Sequence, residues 1–152
     1  MKKAIISMLL PLTALACGGG DANTDETPGA ETAAEAETAA GTVTIVTPTN
    51  GALINGSTVT VQLSSTVQIL PAGDLTPSSG HHHLYLDADL TGATEPVPTV
   101  PGSIIHMGDA SSTFVFEDVP PGEHRLIAVV ADGVHVPLQP WVVDTVTFTV
   151  AN

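Results

Sequence analysis

Six histidines, His81, His82, His83, His106, His124 and His135, are the residues of this 152-residue chain whose type and spacing could do chemistry. In a strand, side chains two apart share a face. His81 and His83 would then stand about 6.7 Å apart, while His82 points with Leu84 and Leu86 toward a core. Two imidazoles at that spacing can converge on one ion, because metal–nitrogen bonds of about 2.0–2.1 Å leave room for a shared centre between the rings. Copper and zinc both accept imidazole, and the Met107 thioether beside His106 would tilt a site toward copper if it pointed inward. Met107 reads first as a packing residue, so it and His82 are secondary candidates. A blue-copper centre needs a thiolate, and the single cysteine, Cys17, lies far upstream of the histidines. The competing reading is metal-free: histidines in β domains also settle into hydrogen-bond networks with carbonyls, carboxylates or one another.

The elements that must position these residues are strands. From Thr42 onward the hydrophobic period is two: Val43 and Ile45 alternate with threonines, and Val59, Val61 and Leu63 alternate with Thr60, Gln62 and Ser64. Asn50-Gly51 and Asn55-Gly56 punctuate between them, since both residue types tolerate the positive φ of tight turns. Further strands are expected over His82–Asp87, Ile104–Ile105, Ser112–Glu117, Leu126–Ala131 and Val142–Val150, with a proline-broken loop from Ala88 to Gly102. About seven short strands in roughly 110 residues, with no helical period, is the pattern of an all-β, immunoglobulin-like β-sandwich. In that connectivity the loop entering the histidine strand, the loop carrying His106 before Ser112, and the loop after Ala131 carrying His135 gather at one end. His81, His83, His106 and His135 are therefore the candidate metal ligands. His124 follows Pro121-Gly122-Glu123 at the opposite end, where related sandwiches place a corner side chain bonded to the nearby turn, and it reads as structural.

The remaining sequence supplies an address. Lys2-Lys3, the apolar run Ala4–Leu15 and the small residues Ala14-Leu15-Ala16 read as a signal peptide over residues 1–17. About twelve apolar residues are too few for a stable membrane span. Cys17 follows directly and precedes Gly18-Gly19-Gly20, an arrangement that resembles the lipobox of bacterial lipoproteins, whose cysteine is acylated after export. Ala14 departs from the large aliphatic residue usual there, and Ala-x-Ala also suits ordinary cleavage, so lipidation at Cys17 and release after Ala16 both stay open. The resemblance implies a protein exported and lipid-anchored in the cell envelope. In a Gram-negative host, Gly18 favours the outer membrane. Residues 18–41 carry six acidic residues and no apolar side chain larger than alanine, so they cannot offset the entropy of ordering and read as a disordered acidic linker. Residues 42–152 are the β domain. Of the three Lys and Arg residues, only Arg125 lies beyond the signal segment, against 16 acidic residues. That balance repels phosphate backbones, and nucleic acid is not an expected partner.

Gly80-His81-His82-His83-Leu84, His106-Met107-Gly108, Pro121-Gly122-Glu123-His124-Arg125-Leu126 and His135-Val136-Pro137 together resemble the domain-of-unknown-function 4399 family of bacterial envelope proteins, over roughly residues 78–150. The triple histidine followed by leucine is the most specific part. The resemblance implies a compact extracytoplasmic β domain and brings no activity. His-Met-Gly, where a histidine with an aromatic neighbour is expected, is a small departure that leaves the identity of any metal open. The sequence has no Gly-x-Ser-x-Gly turn and no phosphate-binding glycine loop, and Asp87-x-Asp89 reads as a solvated loop edge, so an enzyme is not expected. Two functions remain: a tethered domain that sequesters or delivers copper or zinc, and a metal-free structural or protein-interaction module of the envelope.

Overall fold

Alternation becomes strand wherever one face meets apolar neighbours. Val43 and Ile45 in β1 (Val43–Thr47), and Val59, Val61 and Leu63 in β3 (Val59–Ser65), are buried, while Thr44, Thr60, Gln62 and Ser64 between them face solvent. A computed structural model describes residues 41–151. The expected signal peptide, Cys17 and nearly all of the acidic linker lie outside the described residues.

The described residues form nine strands and no helix. Besides β1 and β3 these are β2 (Ala52–Asn55), β4 (Gln68–Ile69), β5 (Ser79–Leu86), β6 (Ile104–Met107), β7 (Thr113–Phe116), β8 (Gly122–Ala131) and β9 (Val143–Ala151). Seven match the expected strands. The other two, β2 and β4, are short and lie at the ends of the larger sheet, where they pair parallel to β9 and β5. Four and two residues flanked by turn signals carry too little alternation to register as strands in sequence.

Two sheets result. One has the order β1-β3-β7, all antiparallel; the other has the order β2-β9-β8-β5-β4, with β6 also pairing β5. Their facing side chains make one core: Val43, Ile45, Val59, Val61, Leu63 and Phe116 from the first meet Leu84, Leu86, Leu126, Ala128, Val130, Val146 and Phe148 from the second. Each large aliphatic side chain fully buried there contributes about 1.5–3 kcal/mol, which matters in a chain with a single cysteine and hence no internal disulfide.

The larger sheet is also covered on its other face. Tyr85, Ile104, Ile127, Val129 and Ala131 form a second apolar cluster with Val97, from the proline-broken loop, and Trp141. The Tyr85 hydroxyl reaches the Thr91 hydroxyl at 2.9 Å, which ties that loop down. Covered on both sides, β5 is buried at all eight positions. Its three histidines are consequently sorted by alternation. His82 lies on the inner face with Leu84 and Leu86, and His81 and His83 lie on the outer face with Tyr85.

Close packing of β5 on β8 depends on Gly80. A Cβ at that position would fall inside the Ala131 carbonyl oxygen and against Val130. Gly80→Ala is therefore expected to destabilise the fold by about 1–3 kcal/mol, measured by urea denaturation of the metal-free protein. Unchanged stability would show that the β5–β8 approach is looser than described.

Candidate metal centre

Strand pairing carries the four expected ligands together. His83 lies opposite His106 in the β5–β6 ladder, and His81 lies opposite Ala131 in the β5–β8 ladder, so the turn that follows Ala131 emerges beside His81. That turn is built by Asp132. Its carboxylate accepts the Val134 and Val136 N–H groups, each at 2.9 Å, and its carbonyl accepts the His135 N–H at 3.0 Å. His135 sits at φ 73°, a left-handed conformation that histidine adopts sparingly, and its carbonyl accepts the Val97 N–H at 2.9 Å. These four hydrogen bonds hold the turn over the outer face.

The four rings meet in two pairs through their Nε2 atoms. His83 Nε2 lies 3.0 Å from His81 Nε2, and His135 Nε2 lies 3.2 Å from His106 Nε2. The possible ligand atoms of His81, His83 and His106 lie within 4.8 Å of one another. All six pairs of ring centroids fall between 4.7 and 5.7 Å. His81 and His83 are fully buried, and His106 and His135 are partly exposed. A Cβ on Gly108 would strike the His106 ring, so that glycine leaves the imidazole its space.

Burial works against charge on three of these rings. Desolvation, followed by repulsion from His106 and His135, pushes His81 down to about 4. Desolvation, followed by repulsion from His81, His106 and His135, pushes His83 down to about 3. Burial lowers His106 as well. Neutral imidazoles present lone pairs, and two lone pairs cannot face each other at 3.0 Å. Either one Nε2 carries a proton and donates it to its neighbour, or a cation lies between them. Among the described residues the Nδ1 atoms of His81 and His83 are buried without partners, so nothing on the far side of either ring sets which Nε2 carries the proton.

The structure corrects one expectation and decides between the readings open for two further residues. His106 lies within strand β6, which runs on through Met107, and not in a loop; direct pairing with His83 brings it to the cluster. Met107 packs in the inner core, on the face opposite His106, and cannot turn its sulfur to the cluster. His82, also on the inner face, engages the Ser111 carbonyl through Nδ1 at 3.0 Å and likewise faces away. Asp132 and Gly108 were not singled out from sequence. Asp132-Gly133 is a turn signal that could have flagged the first; nothing local marks the second.

His124 occupies the other end of β8. Its Nδ1 lies 2.7 Å from an Asp87 carboxylate oxygen and its Nε2 lies 2.8 Å from the Pro120 carbonyl. Both partners can only accept, so the ring donates through both nitrogens as an imidazolium. Burial opposes this charge, but the Asp87 carboxylate and the Pro120 carbonyl prevail and raise the pKa. Asp87 also accepts the Arg125 N–H, and Asp89 pairs with the Arg125 guanidinium at 2.6 Å, so both carboxylates of the Asp-x-Asp pair are engaged.

An all-β domain with four imidazoles on one covered sheet face defines the class. The chain belongs to the family described as domain of unknown function (DUF4399), whose model matches residues 59–151. That span includes every histidine and begins at β3, earlier than the resemblance read from sequence. None of the curated proteins compared matches the chain. Among solved structures it is similar to an endo-beta-1,4-mannanase from Thermotoga petrophila, at 17% identity and a TM-score of 0.44, covering 74% of this chain and 20% of that one. It is also similar to a crystallised engineered protein, at 11% identity and a TM-score of 0.43, with the same coverage. The chain thus spans about a fifth of either protein.

Two pH limbs follow for the metal-free protein. An unfolded chain protonates His81 and His83 below 6.5, whereas the fold resists until about 4 and about 3, so stability falls as pH drops through that window. For His124, whose folded pKa is raised above 6.5, the stabilisation is present below 6.5 and is lost as pH rises through the folded value. Thermal melts between about pH 4 and 8 should show both limbs, with Asp87→Asn flattening only the upper one. A lower limb unaffected by combined His81→Leu and His83→Leu would contradict the assignment.

Proposed function

We propose that this chain is an envelope-tethered lipoprotein, exported and anchored through a lipid on Cys17, whose β domain binds copper or zinc for sequestration or delivery. His81, His83, His106 and His135 are the ligands. The single observation that carries this reading is the gathering of four imidazoles from three separate chain segments, two of them fully buried, with the possible ligand atoms of His81, His83 and His106 within 4.8 Å of one another and His135 Nε2 3.2 Å from His106 Nε2. Neutral rings at neutral pH support it further, because a metal then displaces no proton from His81 or His83. The role is binding rather than catalysis, and the partner is a membrane rather than a nucleic acid. We read the scaffold as immunoglobulin-like, with β1, β3 and β7 facing β9, β8 and β5. His124, charged and held between a carboxylate and a carbonyl, is a structural brace.

The short contacts within the histidine pairs favour one alternative, a metal-free module in which imidazole–imidazole hydrogen bonds brace the outer face. Isothermal titration of the purified, untagged protein with Cu²⁺ and Zn²⁺ after chelator treatment separates the two readings. Stoichiometric binding should be abolished in the His81→Ala, His83→Ala double variant, and strongly weakened by His135→Ala, which alters a partly exposed turn and keeps the core. Lower thermal stability in the double variant, with no metal response in the parent, would establish the brace instead.

Asp132 offers a finer check. Asp132→Ala removes the acceptor that shapes the His135 turn and should weaken metal binding by about 10–100-fold, whereas Asp132→Asn keeps an oxygen acceptor and should largely restore it. Equal affinities for the parent and the alanine variant would mean that the turn does not position His135.

A further inference from the structure

The arrangement of the four rings carries information about which ion they suit. Four imidazoles can surround a metal at the corners of a tetrahedron or of a square, and the ring separations distinguish these. With metal–nitrogen bonds of about 2.0–2.1 Å, a tetrahedron sets all six centroid pairs about 5 Å apart, whereas a square sets four pairs at about 4.5 Å and both diagonals at about 6.3 Å. The observed separations are 4.8 Å for His81–His83, 4.9 Å for His81–His106 and for His81–His135, 5.2 Å for His83–His106, 5.7 Å for His83–His135 and 4.7 Å for His106–His135. However the rings are paired as diagonals, no two opposite pairs stand apart from the rest.

Resting on the metal-binding reading above, we infer that this site is a closed, tetrahedral, all-imidazole centre selective for zinc(II) rather than for square-planar copper(II). Raw affinity rises from zinc to copper(II) for any nitrogen site, so selectivity has to come from geometry, and a filled d-shell accepts a tetrahedron without penalty. Copper(I) shares that geometry but is softer and favours sulfur. The cluster offers it none, with Met107 packed on the opposite sheet face.

Closure has a functional consequence. Zinc sites that activate water keep a coordination position open, whereas sites filled by four protein ligands hold the ion. Two of the four ligands here are fully buried, and the other two are set by a cross-strand pair and a braced turn. Such a site stores or is stabilised by zinc, and release requires the partly exposed His135 turn to open.

Cobalt(II), added alone to the purified chain after chelator treatment, tests the geometry. Tetrahedral Co²⁺ absorbs strongly in the visible, while six-coordinate Co²⁺ absorbs weakly. The expected result is a strong spectrum bleached by one equivalent of Zn²⁺, with His135→Ala retaining Co²⁺ less tightly and with a changed spectrum as water replaces the fourth nitrogen. A weak six-coordinate spectrum, or one unaltered by His135→Ala, would overturn the closed tetrahedron while leaving metal binding intact. Displacement of bound Zn²⁺ by equimolar copper(I) under reducing conditions would overturn the zinc assignment. Retention of neither Co²⁺ nor Zn²⁺ on equilibrium dialysis would overturn the metal-binding reading itself.

Discussion

Strand β5 is buried on both faces, and everything notable about the domain follows from placing three consecutive histidines in it. A solvated strand would leave each imidazole to water. Between β8 on one side and β4 and β6 on the other, with the second sheet beneath and the proline-broken loop above, water is excluded and each ring must find protein partners or stay unsatisfied. His82 finds the Ser111 carbonyl through one nitrogen. Among the described residues, His81 and His83 find each other and the two further rings that β6 and the Asp132 turn bring alongside.

The domain holds histidines in two opposite electrostatic states within one sheet. At the end of β8 that carries His124, a carboxylate and a carbonyl both accept from the ring, so the proton is kept. Around His81 and His83, burial and repulsion from the other imidazoles outweigh the attraction of Asp132 for His81, so the proton is expelled. One residue type thus serves as a cationic clamp at one site and as a neutral donor set at the other, and the neighbouring groups decide which.

Much of the fold was legible because a period of two and a few turn dipeptides are local properties. Val59-Thr60-Val61-Gln62-Leu63 announces a half-buried strand by itself, and the histidine alternation in β5 follows from the same rule. The short edge strands β2 and β4 were not legible, because their pairing is supplied by neighbours distant in the chain. The end of β6 was misplaced for the same reason: His106 and Met107 are strand residues because β5 lies alongside, not because Ile104-Ile105-His106-Met107 alternates in polarity. Met107 then falls on the inner face, where only the paired register could have assigned it.

The sequence by itself determined that the domain is made of strands, that its six histidines lie within it, and that His81 and His83 share a face opposite His82. These depend on side-chain alternation and residue order, which no distant contact can alter. Only the tertiary structure decided that β6 and the Asp132 turn deliver His106 and His135 to that face, that the four ring centroids gather within 4.7–5.7 Å of one another, and that the proton is held at His124 and expelled from His81 and His83. Those outcomes depend on register between segments tens of residues apart and on the exclusion of water from β5, and both exist only once the sheets have packed.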